Sequence, residues 1–328
     1  MPLINNYYGN VSTPQLCKQV DNFKGVVAPG LKALLTWSAP TKDEDNSFVG
    51  ARIVRKIGSA PINVNDGTVV YEGTELTYTD TGLTEGTTYY YRAFAYNIKT
   101  AYQTAMRVVS ITTIESNFAD NTWDLIIEAC QSGNVPDTWV AGDSKTMTID
   151  GTDYQFDIVG KNHDTYTAGG IAPLTFGLHD CYGTKYPMNS SNSNKTGWDS
   201  SKMRMETLPA ILAKMPENIQ NGIRAVNKLT ATSGSDSTIK TASDKLFTFS
   251  EREVYGSTTH SYSGEGKQYD YYKAGNSKVK KVGSTSSRWW LRSPFRNSSG
   301  GFCAVDTGGS VSSGGAGNSD GVCFGFCF

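Results

Sequence analysis

The chain has 328 residues, enough for two or three domains of ordinary size. Its 30 Lys+Arg against 31 Asp+Glu leave a net charge of -1, which argues against a broad phosphate-backbone surface and predicts no nucleic-acid partner. Only 38% of residues are hydrophobic while Gly reaches 34 and Tyr 18, a mixture suited to turn-rich β structure. No apolar run approaches the roughly 18 residues of a membrane span, so no membrane insertion is expected. The first residues lack the basic start and apolar stretch of a secretory signal. Six scattered cysteines do not make a disulfide framework. With three histidines in all, neither a zinc site nor any other metal or cofactor is expected.

Residues 1–25 are polar and aperiodic and read as an arm or attachment segment. From 26 to 114 the pattern has period two. Ala33, Leu35 and Trp37 alternate with outward residues, 49–56 and 69–71 are further strand candidates, and Asp80-Thr-Gly82 is a turn. Along 88–96, Tyr89, Tyr91, Ala93 and Ala95 share one face and Arg92, Phe94 and Tyr96 the other. Short strands at this spacing predict an all-β sandwich. Trp37 on an early strand, followed by Leu83-Thr-Glu-Gly-Thr-Thr-Tyr89, resembles a fibronectin type III domain with its tyrosine corner. The stretches 52–56 and 66–71 are similar to fibronectin-like modules of prophage structural proteins.

The composition changes at about 115. Trp123, Ile126, Ile127 and Cys130 fall at i, i+3, i+4 and i+7 before Gly133, the spacing of an amphipathic helix. Leu208, Ile211, Leu212 and Met215 repeat it before Pro216. Strand-like stretches at 146–149, 154–159 and 245–249 surround these helices, so a compact α+β domain is expected over 115–328.

The segment 288–294 reads Arg-Trp-Trp-Leu-Arg-Ser-Pro. Adjacent tryptophans on a strand point to opposite faces, so one could anchor the core while the other flanks a surface site; packing of both is the plainer expectation. Residues 291–328 then hold nine Gly and seven Ser, and no Lys, Glu, Gln or Met. A flexible linker would have this composition. The recurring Phe302, Val305, Val311 and Val322 and the apolar ending 323–328 predict instead folded strands bearing polar loops, closed by a buried last strand.

This segment resembles a family that carries a WWLRSP signature on a C-type-lectin-like fold, many of whose members are variable proteins of diversity-generating retroelements. Residues 139–143, 157–164, 197–204, 243–247 and 250–256 resemble the family's earlier blocks, so the likeness runs from about 121 to 328. The resemblance implies a multidomain chain: a fibronectin type III-like sandwich followed by an α+β C-type-lectin-like domain with a variable region at about 289–328. In such proteins adenines of a template are miscopied. Lys, Glu, Gln, Met and Trp cannot arise from AAC or AAT by changes at adenine, which fits the residue types missing here.

The implied ligand-facing set is Phe295, Arg296, Asn297, Ser299, Ala304, Asp306, Ser310, Ser312, Ser313 and Asp320, with Phe295 and Arg296 as energetic anchors. The implied function is a non-enzymatic phage tail or receptor-binding protein, on the virion or an extracellular surface. It would bind a bacterial surface protein or glycan, join other tail proteins through its N-terminal region, and could assemble as a homo-oligomer. The alternative is a bacterial adhesin of the same fold. His163-Asp164 and His179-Asp180 lack a nucleophile motif and read as structural. Cys323 and Cys327 are similar at a distance to the thiol pair of formylglycine-generating oxidases, but lie on an apolar strand where cysteine acts as a small hydrophobe. Asp306, Asn318 and Asp320 are thin support for calcium.

Overall fold

The computed structural model describes residues 17–41, 47–97, 102–103 and 107–328. The chain divides into two compact units, Met1–Glu115 and Ser116–Phe328. It is multidomain and mostly β. Among the described residues no helix is long and apolar enough to cross a membrane.

The first unit has strands β1 (Asp21–Ala28), β2 (Lys32–Ser38), β3 (Phe48–Ile57), β4 (Thr68–Gly73), β5 (Thr77–Asp80), β6 (Thr88–Asn97) and β7 (Val108–Thr112). They form two antiparallel sheets ordered β1-β2-β5 and β4-β3-β6-β7. The inward residues of each period-two run, among them Leu35, Trp37, Ile53, Tyr91 and Ala93, meet in one core. Tyr89 accepts a hydrogen bond from the Thr84 amide at 2.9 Å, which closes a tyrosine corner. The reverse face of β6 is not wholly solvated, because Phe94 packs with Val54 in a second small cluster.

The stretch 1–25 expected as an arm overlaps the first strand. β1 begins at Asp21, with Phe23 and Val27 buried. Gly25 between them also faces inward, since a Cβ there would come within 2.7 Å of Ile111 and 2.9 Å of Leu35. A glycine in the middle of the alternation is what hid the strand. Residues 1–16 of the proposed arm lie outside the described residues.

The second unit has α1 (Trp123–Ser132), β8 (Ser144–Ile149), β9 (Thr152–Lys161), β10 (Leu174–Leu178), α2 (Leu208–Leu212), α3 (Glu217–Gly222), β11 (Val226–Ser233) and β12 (Asp236–Asp244). It continues with β13 (Phe247–Thr248), α4 (Glu251–Tyr255), α5 (Asp270–Lys273), β14 (Lys280–Val282), β15 (Thr285–Ser287), β16 (Trp289–Pro294), β17 (Gly301–Val305), β18 (Val311–Gly315) and β19 (Phe324–Cys327). Thr122 caps α1 by accepting from the Leu125 amide, and Gly133 ends it in the left-handed region at φ 73°. A π-helical turn, Met203–Thr207, leads into α2, where Leu208 and Ile211 are buried.

A five-stranded antiparallel sheet runs β13-β19-β10-β9-β8, so the last strand of the chain lies inside it. Phe324, Phe326 and Phe328 are fully buried, and Phe326 lies against Phe156 and Phe176 at 5.3 Å each. The apolar ending therefore anchors the core. The glycine- and serine-rich stretch before it folds as the second and third strands of the sheet β16-β17-β18.

Candidate ligand-binding face

The strand Trp289–Pro294 is the fixed base of this face, and all six of its residues are buried. Trp289 donates its indole N–H to the Lys278 carbonyl at 2.9 Å and Trp290 to the Tyr186 carbonyl at 2.8 Å. Neither tryptophan flanks a surface site; both belong to the core.

Arg292 is fully buried. It bonds Glu253 through both terminal nitrogens, and also reaches the Thr248 carbonyl at 2.8 Å and the Thr230 hydroxyl at 3.0 Å. Glu253 shares its other charge partner, Lys228, at 2.7 Å. Lys228 also contacts Asp164 at 2.8 Å and the Tyr269 hydroxyl at 2.9 Å. Two cations and two carboxylates thus neutralise one another where water is excluded. Burial alone would raise the Asp164 carboxyl, but the Lys228 ammonium and the bonds from Lys228 and Thr175 outweigh it and hold the group at about 2. Glu265 is a further buried ionisable group beside these four, accepting from the Ala231 amide at 2.8 Å and from the Ser293 hydroxyl. Among the described residues no cation pairs with it, and burial, opposed by the Ser293 and Ala231 bonds and the Arg292 charge, pushes its carboxyl up to about 7.

Loop 295–300 rises from the end of this strand. Asn194, fully buried, donates its side-chain amide to the carbonyls of Ser298 at 2.8 Å, Gly301 at 2.6 Å and Phe295 at 3.4 Å. The Arg296 amide bonds the His260 carbonyl and the Asn297 amide bonds the Gly234 carbonyl, each at 2.7 Å. Gly234 permits that approach, because a Cβ there would lie 2.0 Å from the Ser298 carbonyl oxygen and 2.3 Å from that of Phe295. Asn297 takes the left-handed conformation, φ 61°, which asparagine tolerates better than most residues. Three distant segments thereby fix the loop backbone. The side chains of Arg296, Asn297 and Ser299 are left exposed, and Phe295 is half-buried with its ring edge-on to His260 at 5.2 Å.

The turn 306–310 lies at the other end of β17, roughly 17 Å away at about 3.3 Å per residue. Asp306 accepts from the Gly308 amide at 2.9 Å and the Ser310 amide at 2.8 Å, so its carboxylate holds the turn. Tyr255 donates to the Gly309 carbonyl at 2.9 Å. Along the edge strand between the two ends, Ser312 and Ser313 are half-buried.

Two of the expected ligand-facing residues do not face solvent. Ala304 is fully buried because β17 is the central strand, with Trp290 opposite on one side and Ser312 on the other. Asp320 is 7% exposed and paired with Arg288 at 2.8 Å, and its backbone bridges to Tyr186. Of the remaining eight, Phe295, Arg296, Asn297 and Ser299 lie at one end, Asp306 and Ser310 at the other, and Ser312 and Ser313 on the edge strand between them. Sequence reasoning missed Asn194, Gly234 and His260, which position the first group. They lie far from it along the chain, and only the glycine is of a type that hints at a close approach.

The other chemistry-bearing residues are committed elsewhere. Cys323 and Cys327 are fully buried; burial pushes the Cys323 thiol up to about 11 and that of Cys327 well above its usual range. His179 pairs with Asp157 at 2.9 Å, and His163 stacks on Tyr269 at 3.9 Å.

A profile for a domain of unknown function, DUF6273, matches residues 175–327. That span runs from within β10 to the end of β19 and contains the whole candidate face. No curated protein matches the chain. Among solved structures, one described as an FN3tt mutant is 24% identical over 31% of this chain and 100% of its own, with a TM-score of 0.24. A fibronectin type III-like protein from Clostridium thermocellum is 21% identical over 30% of this chain and 95% of its own, TM-score 0.24. A fibronectin type III domain of the human fibronectin type III domain containing protein 3 is 19% identical over 34% and 99%, TM-score 0.28. In the first unit, two antiparallel sheets and a tyrosine corner are the features by which a fibronectin type III fold is recognised.

Proposed function

We propose that residues 116–328 form a recognition domain of the C-type-lectin-like kind, whose partner is met by loop 295–300, edge strand β18 and turn 306–310. The WWLRSP signature supports the lectin-like reading. The observation that carries the binding role is the exposure of Arg296, Asn297 and Ser299 on a backbone held by Asn194, Gly234 and His260. A pre-ordered loop loses little entropy on binding, so its side chains can change without refolding the domain. A stable interface covers about 800 Å² per partner, a patch about 30 Å across, which accommodates both ends of β17. Arg296 and Phe295 supply the guanidinium and aromatic groups that concentrate binding energy, and the serines and asparagine supply adaptable hydrogen bonds.

In this reading the chain is a receptor-binding component of a phage tail. The sandwich is a spacer, the N-terminal region joins other tail proteins, and the lectin-like face contacts a protein or glycan on a bacterial surface. Retroelement-driven variation would act on codons of 289–328. Sequencing the neighbouring DNA tests that part: a reverse-transcriptase gene and a near-copy of these codons differing at adenines is the expected result, and no such copy would refute active variation. Binding of labelled full-length protein to bacterial cells tests the face. Arg296→Ala should weaken cell binding at unchanged melting temperature; undiminished binding by that variant and by Asn297→Ala would place the partner elsewhere.

A further inference from the structure

On the opposite flank of α4 from the loop lies a second feature. Glu251 of this helix accepts from the Thr259 and His260 amides, beside the candidate face. Arg252 and Gly256 instead line a cleft of about 470 Å³ together with Lys161, His163, Lys267, Gln268, Asp270 and Lys273. Its charges are uneven: four permanent cations and a single carboxylate, in a chain whose net charge is -1. Lys161 is used, bonding the Pro136 carbonyl at 3.0 Å and lying 3.5 Å from Asp137. Among the described residues, the side chains of Arg252, Lys267 and Lys273 have neither a hydrogen-bond nor an ion-pair partner. Unneutralised cations facing one another across a concave surface repel, and the fold gains nothing from them.

A cleft of about 360 Å³ adjoins it and shares His163 and Lys267. Lys228, Asp164 and Glu253 form part of its wall, but they are already paired with one another. Thr165 and Asn227 supply polar, uncharged side chains to the lining, and Leu229 with the glycines 264 and 266 completes it. The His163 ring, stacked on the buried Tyr269, stands at the junction. Each volume lies within the range of small-molecule sites.

We propose that the two clefts form one binding site for a phosphorylated sugar or similar polyol phosphate. The phosphate monoester lies among Arg252, Lys267 and Lys273, and the hydroxylated part lies toward Asn227 and Thr165. A dianion with three acceptor oxygens matches several convergent cations better than a carboxylate, which one arginine satisfies alone. The neutral adjoining wall suits hydroxyls and disfavours a second charged group. This site shares no residue with the loop face.

Isothermal titration of the full chain with glucose 1-phosphate at low salt tests the assignment, with glucose, dimethyl phosphate and sodium acetate as comparators. Saturable binding below about 10 mM is expected for the sugar phosphate, at least about tenfold tighter than for any comparator. Its affinity should fall steeply between about 0.02 and 0.5 M salt. The double variant Arg252→Glu/Lys267→Glu should lose at least about tenfold in affinity, whereas Arg296→Ala should leave it unchanged. Lys267 is exposed and Arg252 half-buried, and an unaltered melting curve serves as the folding control. Absent binding, equal affinity for acetate, or undiminished binding by a folded double variant would overturn the proposal.

Discussion

Arg292 and Glu253 meet through two parallel hydrogen bonds, Nη1 to Oε2 at 2.5 Å and Nη2 to Oε1 at 2.7 Å, with both side chains buried. One residue comes from the WWLRSP strand and the other from α4, so the pair clamps the base of the candidate face to the helix beside it. Lys228 takes the rest of the Glu253 charge. Removing one partner from such a pair costs more than the pair itself contributes, because the survivor stays buried without a counter-charge.

Arg292→Met should accordingly destabilise the protein by about 3–5 kcal/mol, and Arg292→Lys should cost nearly as much, because lysine cannot make the paired bonds. Urea unfolding followed by circular dichroism measures both. A loss below about 1 kcal/mol would mean that Lys228 alone suffices to hold Glu253.

Glu265 gives the domain a pH dependence of known sign. Its carboxyl titrates near 4.5 in the unfolded chain and at about 7 when folded, so the folded state binds the proton more tightly. The stabilisation is complete below about 4.5, falls as pH rises toward 7, and is gone above it. Glu265→Gln should therefore raise the melting temperature little at pH 5 and most at pH 8. Scanning calorimetry of both proteins across that interval checks this, and a pH-independent difference would contradict it.

Loop order and loop chemistry should separate by mutation. Asn194→Ala removes the donor shared by three carbonyls and should cost about 2 kcal/mol, with faster exchange of the Asn297 amide. Arg296→Ala, at an exposed position, should change stability by no more than about 0.5 kcal/mol. The two variants should weaken cell binding alike while differing in stability.

Gly234→Ala should act like Asn194→Ala without deleting any hydrogen-bonding group, because its methyl would meet two loop carbonyls. Hydrogen exchange in residues 295–300 reports the displacement, and native protection there would show that the backbone can relax around a Cβ.

The thiols of Cys130, Cys181, Cys303, Cys323 and Cys327 are free and buried, and burial raises each one. They should resist iodoacetamide in the native protein at pH 8 and react after unfolding in guanidinium. Mass spectrometry of labelled peptides reads this directly, and fast native labelling of Cys323 or Cys327 would reopen a redox role.

What the sequence determined by itself is local. Alternation along 88–96 specified β6 and its inward tyrosines, the 3.6 spacing of Trp123, Ile126 and Cys130 specified α1, and the apolar ending 323–328 specified a buried final strand. These features follow from the chain's own periodicity, because a side chain's face is set by its neighbours two or four residues away. Which strand lies in the middle of a sheet is not local. Ala304 is buried because β17 has a strand on either side, and Asp320 because Arg288 and Tyr186 close over it. The pairing of Arg292 with Glu253 and the hold of Asn194 on loop 295–300 likewise join residues 39 and about a hundred positions apart. Such contacts exist only after the chain has folded, so tertiary structure alone separated the displayed residues from those that support them.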